Sequence, residues 1–122
     1  MARILLAEDD PDLRRVLVRA LGAAGHSVEA TGNGLEALET LEAQPVDLLL
    51  ADIVMPGLDG MELSRRAAAL HPDVRIMFIT GFAAVTIHDG RVEHAPEGAR
   101  LLSKPFHLRD LVRQIEALLE AA

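Results

Sequence analysis

The chain has 122 residues and a formal net charge of −7; half of its residues are hydrophobic and only 2% are aromatic. This length predicts one domain, 1–122, whose core must be built from aliphatic side chains. The absence of cysteine excludes disulfides, thiol catalysis and cysteine-ligated metal. The acidic charge argues against nucleic-acid binding, and no apolar run approaches the ~20 residues of a membrane-spanning helix. Because no signal peptide is evident, we expect a cytoplasmic protein without membrane insertion.

Short apolar segments alternate with amphipathic ones from the start of the chain. The apolar run 4–7 predicts a buried strand, and Asp10 before a proline is typical of a helix start. Segment 26–31 alternates only weakly between apolar and polar residues, which suits an edge strand. Asn33 and Asp59 are each followed three residues later by a glutamate, which is the pattern of a capped helix start.

The segments 48–52 and 74–79 are apolar except for Asp52, which ends the first, and Arg75 near the start of the second. Runs of this length, bounded by turn residues, are typical of strands buried on both faces, as in parallel sheets covered by helices. The first run ends in Asp52, and the second leads into Thr80. Each strand therefore brings a polar side chain to its carboxyl end.

Residues 83–98 break this alternation. A helix is expected here by its place in the order, but β-branched residues and the turn signal Asp89-Gly90 predict a short or irregular one. A short strand at 101–102 and an amphipathic helix from Leu108 complete the chain. Five strand–helix units predict an α/β fold, a single doubly wound five-stranded parallel sheet with flanking helices.

Polar residues follow four of the five predicted strands. In open parallel sheets the carboxyl ends of the strands form one crevice, so these side chains should meet there. Carboxylates held together repel one another, and a hard divalent cation such as Mg²⁺ removes that repulsion. Acidic groups, a hydroxyl, a lysine and Mg²⁺ together indicate phosphoryl transfer, with a nucleophilic aspartate. The residues concerned are Glu8, Asp9, Asp52, Thr80 and Lys104.

These residues, together with the loop 55–60, resemble the receiver domain of two-component response regulators over essentially the whole chain. The resemblance implies the strand order 2-1-3-4-5 and a phosphoacceptor aspartate on a protein that is not itself an enzyme. It also implies that no output domain is attached. By resemblance the phosphoacceptor is Asp52, the switch residues are Thr80 and Lys104, the Mg²⁺ ligands are Glu8 (through water), Asp9, Asp52 and the backbone carbonyl of Val54, and the bond before Pro105 is cis.

One position departs from the pattern of this family. Receivers usually carry Tyr or Phe three residues before the lysine, and here that residue is Leu101. Rotation of an aromatic ring therefore cannot report phosphorylation. We expect movement of residues 83–98 to report it instead. We also expect the output face to combine this segment with the last strand and the last helix.

The resemblance also implies partners. Segments 77–85 and 102–112 are most similar to a group of stand-alone receivers within the family. Their phosphodonor would be a histidine kinase or a histidine phosphotransferase. Their other partners would be a ClpX-type unfoldase and protease substrates, because receivers of this group act as adaptors for the ClpXP protease.

Three other functions remain open on the same residues. A phosphorelay intermediate or phosphate sink would share every site residue. A haloacid-dehalogenase-type phosphatase also uses a nucleophilic aspartate, but it usually has a second aspartate two positions later, where this chain has Val54. A noncatalytic binding protein of flavodoxin-like fold would leave the paired acids and Lys104 without a role.

Overall fold

The structure, a computed structural model, describes residues 1–81, 87–88 and 91–121, with only the backbone described at 87, 88 and 91. In chain order the elements are β1 (Arg3–Ala7), α1 (Pro11–Ala23), β2 (Ser27–Thr31), α2 (Gly34–Ala43), β3 (Leu48–Asp52), α3 (Gly60–Leu70), β4 (Arg75–Thr80), β5 (Ile87–His88), β6 (Arg91–Val92), β7 (Arg100–Ser103) and α4 (Leu108–Glu120). Among the described residues, no helix is long and apolar enough to cross a membrane.

Five strands form one parallel sheet in the order β2-β1-β3-β4-β7. This confirms the predicted order 2-1-3-4-5 and places the weakly alternating strand β2 at an edge. Neighbouring strands stay in register to their carboxyl ends, where Ala7 pairs with Ala51 and Asp52 pairs with Ile79. Because all five strands run in one direction, the residues that follow them lie along one edge of the sheet.

The sheet separates two hydrophobic clusters, because successive residues of a strand point to opposite faces. The side chains are almost all aliphatic, as the composition predicts. The cluster on one face, here called the α1–α4 cluster, includes Ile4, Leu6, Leu48, Leu50, Met77 and Ile79 with Leu17, Leu21, Leu111, Ile115 and Leu118. The cluster on the other face, here called the α2–α3 cluster, includes Leu5, Leu49, Ala51 and Phe78 with Ala37, Leu41, Leu63, Ala67, Val92 and Ala99.

Side chains before three helices cap them as the sequence predicts. The carboxylate of Asp10 accepts hydrogen bonds from the first turn of α1, and the side chains of Asn33 and Asp59 do the same for α2 and α3. These bonds satisfy backbone N–H groups that have no partner inside the helix. The caps also fix the loops that leave the carboxyl ends of β1, β2 and β3.

A short or irregular helix was expected at 83–98, but the described residues of this segment form no helix. Strands β5 and β6 pair antiparallel, and the chain then continues through turns to β7. The sequence between the two strands, Asp89-Gly90, is a pair that two-residue hairpin loops favour, and β-branched residues favour strands. In the described residues 87–88 and 91–98, these local preferences outweigh the helix expected from alternation. Residues 82–86 and 89–90 lie outside the described residues.

Candidate functional site at the carboxyl edge of the sheet

Two carboxylates and one ammonium group meet at the carboxyl edge of the sheet. Lys104 Nζ lies 2.8 Å from Asp52 Oδ2 and 3.5 Å from Glu8 Oε1. These partners are 52 and 96 positions away along the chain, and the parallel sheet brings them together. Glu8 is fully buried and Asp52 is 6% exposed. Buried charges of this kind are tolerated when they are paired and hydrogen-bonded.

Glu8 is held from several sides. Its Oε2 accepts a hydrogen bond from the Asp10 N–H at 3.0 Å, and its own N–H donates to the Thr31 carbonyl at 3.1 Å. Burial raises the pKa of Glu8 to about 7, and the nearby Asp52 charge adds to this effect. The bond from Asp10 and the charge of Lys104 act in the opposite direction. A proton or a cation at this position therefore relieves the burial of negative charge.

Asp9 completes an acidic cluster. One oxygen each of Glu8, Asp9 and Asp52 lie within 4.8 Å of one another. Asp9 is exposed whereas the other two are buried, so the cluster reaches solvent through Asp9. The donors are all oxygens, and Mg²⁺ prefers one or two carboxylates together with water and phosphate oxygens. These residues therefore fit a hard divalent cation.

The backbone around Asp52 is fixed by the start of α3. The Val54 N–H donates to Asp52 Oδ1 at 3.2 Å, and the Gly60 N–H donates to the Ile53 carbonyl at 2.9 Å. A Cβ at Gly60 would lie 2.1 Å from the Asp52 carbonyl oxygen. Only a residue without a side chain therefore lets α3 begin so close to the end of β3.

Thr80 and Lys104 are joined through the backbone, since the Lys104 N–H donates to the Thr80 carbonyl at 2.8 Å. Thr80 ends β4, the neighbour of β3, and is 3% exposed. Burial lowers the pKa of Lys104, but the bond to Asp52 and the attraction of Glu8 outweigh it and leave that pKa above its ordinary value. Lys104 therefore carries a positive charge at neutral pH.

The remaining predicted positions lie on β7 and just after it. Leu101 pairs with Phe78 across the sheet, is half-buried, and packs against the α2–α3 cluster. This cluster includes Val92 and Ala99, so β7 is packed on the segment that precedes it. The peptide bond between Lys104 and Pro105 is cis.

Sequence reasoning missed Arg14, which lies on α1. Its Nη1 donates to the Glu8 carbonyl at 2.8 Å. The side chain passes Gly32, where a Cβ would lie 2.9 Å from Nη1. The end of β2 thus supports the site through the Thr31 carbonyl and the space at Gly32. The sequence held one signal for this role: Arg14 stands one helical turn after the residue that caps α1.

A doubly wound parallel sheet with an acidic cluster, a buried threonine and a lysine along one edge defines the class of receiver domains. The family model for the response regulator receiver domain matches residues 4–116, and the chain belongs to this family. It is therefore a receiver of two-component signalling. Receiver domains bind Mg²⁺ through acidic residues, and the cluster at Asp9 provides such residues here.

Three comparisons place the chain within this family. It is 58% identical over 122 residues to the response regulator receiver protein CpdR of Brucella abortus (strain 2308), covering 100% of both chains. It is 37% identical over 123 residues to the sensor kinase CckA of the same strain, covering 98% of this chain but 13% of the kinase. Among solved structures, TrrA of Thermotoga maritima in complex with Mg²⁺-BeF matches with a TM-score of 0.81 and 27% identity, covering 97% of this chain and 99% of TrrA. The similarity to CpdR agrees with the group of receivers expected from the sequence.

Proposed function

We propose that this receiver is phosphorylated on Asp52 by a histidine kinase or a histidine phosphotransferase. The observation that carries the proposal is the ion pair of 2.8 Å between this carboxylate, at the end of the central strand, and Lys104. A carboxylate oxygen of Asp52 bonds to the phosphorus atom of the donor phosphohistidine. The bond between phosphorus and the imidazole nitrogen breaks, and its electron pair stays on that nitrogen. The chain acts as a phosphoacceptor and not as an enzyme with turnover on a separate substrate.

The acidic cluster supports a magnesium site for this transfer. We assign Asp9, Asp52, the backbone carbonyl of Val54 and, through water, Glu8 as the groups that would hold the ion. When bound, Mg²⁺ supplies positive charge against the phosphoryl oxygens. Lys104 supplies a further positive charge at Asp52 Oδ2, and the Val54 N–H orients the carboxylate through its bond to Oδ1.

Thr80 and Lys104 are the proposed switch residues. A phosphoryl group on Asp52 presents new oxygens to the Lys104 ammonium and to the Thr80 hydroxyl. Hydrogen bonds to charged groups contribute roughly 1.5–3 kcal/mol each, so two of them give roughly 3–6 kcal/mol. Inverting a 1:99 population takes about 5.5 kcal/mol. The gain from two such bonds is therefore comparable with the free energy that a two-state switch requires.

Labelling with a small phosphodonor tests the phosphoacceptor. Wild-type protein with Mg²⁺ should gain one phosphoryl group that alkali and hydroxylamine remove, as expected of an acyl phosphate, and Asp52→Asn should gain none. Asp59→Asn is the matched control, since Asp59 caps α3 and lies outside the acidic cluster. Labelling of Asp52→Asn at the wild-type rate would exclude Asp52 as the acceptor.

For the output, we propose that phosphorylation changes binding to a ClpX-type unfoldase, so that the chain acts in the cytoplasm as an adaptor that brings protease substrates to ClpXP. The similarity to CpdR over 100% of both chains supports this role. The proposed binding surface combines residues 83–98 with β7 and α4. Leu101 supports this choice, because it packs β7 on the cluster that contains Val92 and Ala99.

Binding to purified ClpX tests the adaptor role. We expect different affinities for the phosphorylated and unphosphorylated protein, and Asp52→Asn should behave as the unphosphorylated form in both conditions. Binding to neither form would favour the second candidate, a phosphorelay intermediate or phosphate sink. That candidate is supported by the similarity to a segment of the sensor kinase CckA. It predicts phosphoryl transfer from the chain back to a histidine phosphotransferase.

A further inference from the structure

Arg65, on α3, binds the segment that leads from the β5–β6 hairpin to β7. Its Nη1 donates to the His94 carbonyl at 2.8 Å, across 29 positions of the chain. The same guanidinium donates through Nε and Nη2 to Glu62 Oε1, at 3.2 and 2.8 Å. Because a guanidinium is a rigid planar fork, the two bonds to Glu62 fix the direction of the Nη1 donor. Arg65 is therefore oriented by its own helix toward this segment.

The apolar anchors of segment 92–99 are small. Val92 and Ala99 are buried in the α2–α3 cluster, and Ala95 packs against that cluster from a half-buried position. A valine and two alanines remove little apolar area from water, and the hydrophobic contribution to stability scales with that area. The bond from the charged donor of Arg65 is therefore a large part of what holds this segment to α3.

The backbone at His94 has a conformation that most residues avoid. Its φ is 69°, in the left-handed region. Residues other than glycine adopt such a conformation rarely, and it persists only where the surrounding structure holds it. The bond from Arg65 to the carbonyl of this same residue is such a hold. Loss of the bond would let the backbone relax, which gives segment 92–99 a second arrangement.

The helix that carries Arg65 begins at the phosphoacceptor. The start of α3 is packed against the end of β3, since a Cβ at Gly60 would lie 2.1 Å from the Asp52 carbonyl oxygen. Glu62, which orients Arg65, lies in the first turn of the same helix. Because a helix moves as a rigid element, a shift at the end of β3 changes the position of the Nη1 donor.

We propose that Arg65 is a positioning residue that holds segment 92–99 in its resting arrangement, and that phosphorylation of Asp52 releases its bond to His94. The inference rests on the proposed function of Asp52 as the phosphoacceptor, and it adds the residue that restrains the response of the segment. Coupling between two sites is reciprocal, because both act on the same equilibrium. Removing the bond should therefore strengthen the binding of a phosphoryl mimic at Asp52.

Arg65→Ala and Arg66→Ala form a matched pair of variants. Arg66 also binds Glu62, through Nε at 3.1 Å, and the two arginine side chains are 46% and 48% exposed. Each variant loses one positive charge and one partner of Glu62, whereas the bond to His94 belongs to Arg65. Hydrogen exchange of the full chain without a phosphoryl mimic tests the bond itself. Amides of 92–99 should exchange faster in Arg65→Ala than in Arg66→Ala.

Titration with beryllofluoride at saturating Mg²⁺ tests the coupling, since beryllofluoride on a carboxylate stands in for the phosphoryl group. Arg65→Ala should bind it about fivefold more tightly than wild type, at the low end of allosteric coupling because the bond is partly exposed. Arg66→Ala should bind it with the affinity of wild type. A merely structural role of Arg65 would leave this affinity unchanged.

His94→Val tests the same contact from its other side. It keeps Arg65 but places a β-branched residue where φ is positive, which disfavours the resting backbone. It should reproduce the exchange and the affinity of Arg65→Ala, and the double variant should add little to either effect, because both changes break one contact.

Equal exchange of Arg65→Ala and Arg66→Ala in 92–99, or equal beryllofluoride affinity of the two, would overturn the proposal. Weaker beryllofluoride binding by Arg65→Ala would overturn it as well, because the bond would then belong to the phosphorylated form. A wild type that binds no beryllofluoride would refute Asp52 as the acceptor and the coupling with it, whereas exchange in the two variants would still report on the bond of Arg65.

Discussion

Glu8 is a carboxyl group that the fold buries completely, and its pKa is raised to about 7, first by burial and then by the charge of Asp52. In the unfolded chain this carboxyl titrates near 4.5. Between these two values the folded protein keeps a proton that the unfolded chain has released. The contribution of Glu8 to the free energy of unfolding therefore falls as the pH rises from about 4.5 to about 7. Urea unfolding of the cation-free protein at several pH values measures it.

Glu8→Gln is the control, because it keeps the size of the side chain and removes the titrating proton. The stability difference between wild type and this variant should change across the same window and level off above it. The pKa of Glu62 is lowered by its bonds to Arg65 and Arg66, so its contribution is lost only as the pH falls below 4.5. The two effects thus occupy separate pH ranges. Parallel curves for wild type and Glu8→Gln would contradict the raised pKa.

Arg14 is a positioning residue for the acidic pair, since its guanidinium holds the Glu8 carbonyl at 2.8 Å. Arg14→Ala should weaken Mg²⁺ binding by about tenfold, which is the usual cost of losing a group that orients a metal ligand. Arg15→Ala is the matched control. It removes the same charge from the next position, where the arginine pairs with the exposed Asp12. Equal Mg²⁺ affinities of the two variants in calorimetry would contradict the role of Arg14.

The side chains that meet at the site were predictable from the sequence, whereas their supports were not. Glu8, Asp52 and Lys104 each follow an apolar strand, and a parallel sheet must bring such positions to one edge. Arg14 reaches a backbone carbonyl, so its place one helical turn after the Asp10 cap is the one signal that the sequence offers for it. The Thr31 carbonyl is equally hidden, because the sequence records side chains and not the direction of backbone groups.

Helix α3 begins in direct contact with the end of β3, and Gly60 makes this possible. Gly60→Ala would place a Cβ 2.1 Å from the Asp52 carbonyl oxygen, so the helix start or the strand end must shift. We expect a loss of roughly 1–3 kcal/mol in the free energy of unfolding, as for other overpacked sites, together with slower phosphodonor labelling.

Gly22→Ala is the matched control for that experiment. Gly22 lies inside α1, and a Cβ there would meet no atom within 4 Å. Because alanine costs less backbone entropy than glycine in a helix, this variant should gain roughly 0.5–1 kcal/mol. Urea unfolding compares the two variants with wild type. Equal stability of both variants would show that the close approach at Gly60 is relaxed at little cost.

The elements of the main sheet were predictable because local and long-range preferences agree there. Asp10, Asn33 and Asp59 stand before apolar repeats of helical period and cap the helices in the structure. The segment 83–98 is different, since alternation favours a helix while its residues favour a hairpin. The choice between helix and hairpin depends on how this segment packs against α3. The sequence alone does not show that packing, so it does not decide between the two.

We propose that the α2–α3 cluster carries the signal from the site to the surface of the molecule without an aromatic ring. Leu101 packs against the same cluster as Val92 and Ala99, and Lys104 comes directly after β7, the strand that contains Leu101. A pull on Lys104 by a phosphoryl group should therefore change amide exchange in residues 91–99. Hydrogen exchange with mass spectrometry, with and without beryllofluoride and Mg²⁺, measures this change. Unchanged exchange in 91–99, with Asp52→Asn as the baseline, would contradict the route.

The half-exposed side chain of Val54 has a practical consequence for optical work on this protein. The chain contains neither tryptophan nor tyrosine, so it has almost no ultraviolet emission of its own. Val54 is 50% exposed, and its N–H contacts the Asp52 carboxylate. Val54→Trp would keep the backbone carbonyl and introduce a sole indole beside the carboxylate. Its fluorescence should then follow events at Asp52 in real time, without dyes and without background from the rest of the chain.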